Sequence, residues 1–69
     1  MDYDSAADPE VEVAAALLLL RLLATRSLRS LLNSHVLMEA LDETLPVSMS
    51  WRVMLCLRQK AADQLALHF

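Results

Sequence analysis

The sequence contains no glycine, one cysteine, two prolines and three aromatic residues, Tyr3, Trp51 and Phe69. Without glycine, a phosphate-cradling loop of the Walker or dinucleotide type is excluded, because such loops need residues that admit close backbone approach and positive φ. A single thiol, Cys56, excludes an intrachain disulfide framework and a cysteine-based zinc site. His35 and His68 stand too far apart to suggest a metal cage, so neither a metal nor any other cofactor is expected. Basic charge is also scarce: 6 Lys and Arg face 9 Asp and Glu, a net charge of −3 with a pI of about 5.1. Phosphate contacts supply most nucleic-acid affinity, so nucleic acid is not an expected partner.

Long apolar runs are missing as well. Val13 to Ala24 is interrupted by Arg21 and falls short of the about 18 residues of a membrane-spanning helix. The chain starts with acidic residues, where a secretory signal starts with basic ones. A cytoplasmic protein without a transmembrane segment is therefore expected, and a lone thiol fits a reducing compartment.

What is abundant is leucine. Sixteen of the 69 residues are Leu, and the hydrophobic fraction is 57%. A chain this short forms one domain and buries only about 60% of its unfolded surface. Domains below roughly 70–80 residues usually lean on disulfides, a metal or association. The first two are absent here, so a homodimer is expected. Charge blocks agree with helices that neutralise one another: acids over 2–12, then Arg21, Arg26 and Arg29, then Glu39, Asp42 and Glu43, then Arg52, Arg58 and Lys60.

Residues 1–7 read as a flexible acidic tail and 8–69 as a single helical domain. Asp8 is suited to cap a helix, Pro9 to its first position, and Glu10 and Glu12 to the positive end of its dipole. A first helix is predicted over about 9–32. Asn33 and Ser34 are cap-type residues that would separate it from a second helix over about 35–44. The alternative is one helix from 9 to 44. In its favour, Val13, Leu17, Leu20, Ala24, Ser27, Leu31, Ser34, Met38, Leu41 and Leu45 follow heptad spacing, as in a coiled-coil seam. Pro46 marks a turn, Ser48 or Ser50 can cap a helix beyond it, and this last helix is predicted over about 49–68.

On that last helix Trp51, Met54, Leu55, Ala62, Leu65 and Phe69 share one side, opposite Arg52, Gln59, Lys60, Asp63 and Gln64. Trp51, Met54, Leu55, Leu65 and Phe69 are read as core or partner anchors. Arg58 lies near the centre of that side, where an unpaired buried charge is prohibitively costly. It must extend to water, meet an acid such as Asp42 or Glu43, or sit on a surface reserved for a partner. A smaller strip of Val53, Cys56 and Leu67 makes this helix apolar on more than one side. The first helix is apolar all round apart from Arg21, as expected of a helix buried on more than one side. Leu17, Leu20, Leu23, Leu28 and Leu31 are the expected self-association residues.

No nucleophile, base and orienting group are grouped in the sequence as catalysis requires. Cys56 sits among apolar neighbours, where thiols are inert. The fold class expected is all-α, a two- or three-helix hairpin completed by homodimerisation into a helical bundle. The function expected is non-enzymatic: a small regulator or adaptor that binds a larger protein through helical surfaces and modulates it, with inhibition the expected sense. The alternative is a helix-turn-helix-like DNA-binding regulator that presents Ser48, Ser50 and Arg52 to a groove.

Overall fold

The computed structural model describes residues 8–67. The expected tail over 1–7, His68 and the expected anchor Phe69 lie outside the described residues. Within them the chain is all-α: α1 (Pro9–Leu23), a 3-10 turn (Ser30–Leu32), α2 (Ser34–Asp42) and α3 (Val47–Ala66).

Asp8 is the N-cap of α1, and its carboxylate accepts the Glu10 backbone N–H at 2.9 Å. Pro9 fills the first helical position, Glu10 and Glu12 lie at the positive end of the dipole, and Arg21 lies at the negative end. α1 then stops at Leu23, well before the predicted end near 32, although no glycine or proline is there. Hydroxyl side chains supply the reason. Thr25 Oγ1 donates to the Leu22 carbonyl at 3.4 Å, Ser30 Oγ donates to the Ser27 carbonyl at 2.8 Å, and Ser27 Oγ accepts the Ser30 N–H at 3.3 Å. Such local bonds offer the backbone an alternative to helical pairing. The resulting loop and 3-10 turn bring Leu31 into the core, which a continuous helix over 9–44 would prevent.

Asn33 caps α2, its side-chain oxygen accepting the N–H groups of His35 at 2.9 Å and Val36 at 3.4 Å. Replacing Asn33 by Ala is expected to cost about 1 kcal/mol of stability, read as a lower urea midpoint with an unchanged m-value. α3 starts two residues before the predicted Met49, with Pro46 as N-cap at φ −61° and ψ 151° and no side-chain cap bond. Ser50 therefore does not cap. It lies buried inside the helix, where its hydroxyl donates to the Val47 carbonyl at 3.2 Å.

α1 and α2 each pack on α3, and the 3-10 turn packs on both α2 and α3. The short turn at 43–46 makes α2 and α3 antiparallel. α1 runs in the same sense as α3, because Asp8 pairs with Arg52 and Glu12 with Lys60 further along both helices. The core is formed by Val11, Ala15 and Leu19 of α1, Leu31 of the 3-10 turn, Leu37 and Leu41 of α2, and Val53, Leu57 and Ala61 of α3.

The inward face of α3 is thus Ser50, Val53, Leu57 and Ala61. It is not the stripe expected from Trp51, Met54, Leu55 and Leu65: Trp51 and Leu55 are exposed, and Met54 and Leu65 are half-buried. The physical reason is the central position of α3. Three elements pack against it, α1, α2 and the 3-10 turn, and small residues on its inward side (Ser50 and Ala61, with Ala15 on α1) allow close helix approach that an indole would block.

Candidate functional site: two outward apolar helix faces

α1 is apolar on two opposite faces. Val11, Ala15 and Leu19 are buried, with Ala14, Leu18 and Leu22 packed beside them. At about 100° per residue, Val13, Leu17, Leu20 and Ala24 project to the other side. There Val13 is 58%, Leu17 57% and Leu20 68% exposed. Their spacing of four, three and four residues is that of a coiled-coil seam. These are the apolar positions of the heptad pattern that the fold leaves exposed. Of the expected self-association residues, Leu17, Leu20 and Leu23 are exposed. Leu31 is buried in the subunit's own core and Leu28 packs against that core, so these two are not free for a second chain.

The second face belongs to α3. Trp51 is 55% and Leu55 42% exposed, and Ala62 and Ala66 continue the same side toward the C-terminal end. There Ala62, Leu65 and Ala66 join Leu32 and Arg29 around an open apolar groove of about 460 Å³. From sequence, Arg29 figures only in a block of basic charge, and neither it nor Leu32 is marked as a site residue. Their approach to α3 depends on the 3-10 turn, which carries no sequence signal of its own. A separate cleft of about 260 Å³ between α1 and α2 is bordered by Arg21 and Arg26 on one helix side and Glu39 and Glu43 on the other.

Arg58 is exposed on α3, and its Nη1 donates to Ser34 Oγ at 2.8 Å. The acid partner expected from Asp42 or Glu43 is replaced by a hydroxyl at the start of α2. Both acids lie at the opposite end of α2 from Ser34, and the antiparallel hairpin sets Arg58 beside the Ser34 end. The guanidinium stays in water, so no buried charge needs compensation.

Among the described residues Glu12 and Lys60 form the tightest ion pair, with Nζ donating to the carboxylate at 2.7 Å across α1 and α3. That hydrogen bond raises the Lys60 pKa above its ordinary 10.5, against an opposing effect of burial. A raised lysine pKa contributes stability that is fully present below 10.5 and is lost as pH rises through the higher folded value. Lys60→Met is therefore expected to cost about 0.5 kcal/mol at neutral pH, a modest value because the pair is partly solvated. In denaturant titrations the gap between wild type and variant should close at strongly alkaline pH.

Cys56 is half-buried, and its thiol pKa is raised by burial and then by the Glu12 charge, against an opposing effect of Lys60. The thiol form, which is a poor nucleophile, prevails at neutral pH. His35 lies on the surface with its Nε2 3.8 Å from Glu39. Among the described residues no three His, Cys, Asp or Glu side chains are grouped to hold a metal ion. Among the same residues no helix is long and apolar enough to cross a membrane. The arrangement offers apolar contact surface edged by charge, which is the chemistry of helix-mediated binding. Comparison of the chain with protein-family models, with curated proteins and with solved structures finds no match.

Proposed function

We propose that this chain is a small non-catalytic regulatory or adaptor protein that works as a homodimer. The outer face of α1 joins two copies into a larger bundle, and the outer face of α3 binds and inhibits a larger protein. A cytoplasmic setting accords with the chain's single thiol. The observation that carries the reading is that both long helices keep an apolar face after the core is complete.

The size of the effect favours association over an idle surface. Full burial of a Val or Leu side chain contributes about 1.5–3 kcal/mol. With Val13, Leu17 and Leu20 each more than half exposed, covering them contributes about 3–6 kcal/mol per chain. That is comparable to the whole stability of a small domain, about 5 kcal/mol. On α3, an indole beside a leucine and an open apolar groove are the ingredients of an interface hot spot.

The DNA-binding alternative finds less support. The first turn of α3 presents Val47, Ser48 and Trp51 to solvent, Ser50 is buried, and Arg52 lies 3.7 Å from Asp8. A groove-reading helix needs free donors and cations at that end.

The test is affinity purification with wild type and with Trp51→Ala/Leu55→Ala. A protein that wild type retains and the double variant loses, with the variant still folded, supports the reading. An identical set of bound proteins would remove the α3 face from it.

A further inference from the structure

The outer face of α1 has a direction. Glu10, Val13, Leu17, Leu20, Arg21 and Ala24 share it, all exposed, with an acid at the N-terminal end, leucine and valine in the middle, and a base toward the C-terminal end. Among the described residues, the other two acids at this end are engaged within the chain, Asp8 with Arg52 and Glu12 with Lys60. Glu10 is therefore the acid that this face offers to a second molecule.

We propose that the face is covered by α1 of a second copy of this chain running antiparallel, with the two-fold axis near Leu17. This rests on the self-association reading above and adds its geometry. In this register Leu17 meets the partner's Leu17, and Val13 meets the partner's Leu20, because these two lie four and three residues to either side of the axis. Glu10 lies seven residues before the axis and Arg21 four after it. The difference of three residues is about 4.5 Å along the helix, which the long arginine side chain spans to reach the partner's Glu10. The pair of Glu10 with the partner's Arg21 then occurs twice in the dimer, and the helix dipoles oppose. A parallel pair would instead set Glu10 against the partner's Glu10 and align both dipoles, and its charges repel at each end. The face is self-complementary in one direction only.

The test uses the full chain with Cys56→Ala, carrying either Val13→Cys or Leu20→Cys, oxidised separately and as an equal mixture, with the solution mass measured beforehand. The expected result is a dimeric mass, a disulfide between the two variants in the mixture, and none in either variant alone. Cross-linking of Val13→Cys with itself would show a parallel pair and overturn the proposal, as would a dimeric mass with no mixed disulfide. A monomeric mass would overturn the self-association reading itself, and the proposal with it. Charge reversal gives a second readout that needs no cysteine. Glu10→Arg and Arg21→Glu are each expected to weaken the dimer about tenfold, and the double reversal to restore it. Failure of the double reversal to restore association contradicts the antiparallel pairing.

Discussion

Leu20→Glu is expected to dissociate the proposed homodimer while leaving the single chain folded. Leu20 is 68% exposed in the single chain, so the substitution removes no core contact. In the dimer it loses about 1–2 kcal/mol of apolar burial at each of two symmetry-related positions. The sum corresponds to a roughly 30- to 1,000-fold weaker association, and the desolvation of two carboxylates adds to it. Sedimentation equilibrium reads the first effect, and far-ultraviolet circular dichroism checks that helix content is kept. If Leu20→Glu associates as wild type does, the outer face of α1 is not the interface.

Leu57→Ala is expected to have the opposite signature. Leu57 is fully buried on the inward face of α3, among Leu37, Leu41, Val53 and Ala61 of the same core. Truncating a buried leucine costs about 2–5 kcal/mol, part of it for the cavity left behind. In a domain whose total stability is about 5 kcal/mol, that leaves about 0–3 kcal/mol, so the denaturant midpoint falls steeply. Leu55→Ala, two residues away but on the outer face, is expected to change subunit stability by about 0.5 kcal/mol or less. Denaturant melts of the pair, at one fixed protein concentration so that association does not enter the comparison, decide which face of α3 is inward. Equal losses would contradict the assignment of the core.

The helical class was legible because an Ala- and Leu-rich chain without glycine has few other options. The start of α1 was legible in Asp8 and Pro9, whose side chains act on the nearest backbone groups and need no tertiary context. The end of α1 was not. Ser27 and Ser30 are compatible with a helix interior, and their competing bonds prevail only because Leu31 gains a place in the core by leaving the helix axis. The inward face of α3 was hidden for a different reason. The helix carries two apolar stripes, and residue size alone favoured the one with Trp51. The inward choice comes from packing α1, α2 and the 3-10 turn on a central helix, where Ser50 and Ala61 fit and the indole does not. The same ambiguity affected the leucines: Leu17 and Leu20 lie on the outer face, whereas Leu31, in the same heptad frame, turns inward once the frame is broken at 24–29.

All of these expectations hang on whether one subunit stands alone with its α1 leucines in water. Its mass in solution across a dilution series answers this most directly, with helix content followed in parallel. The expected result is twice the 7.7 kDa of the chain, held down to micromolar concentration. A fully helical species of 7.7 kDa at that concentration would contradict the account.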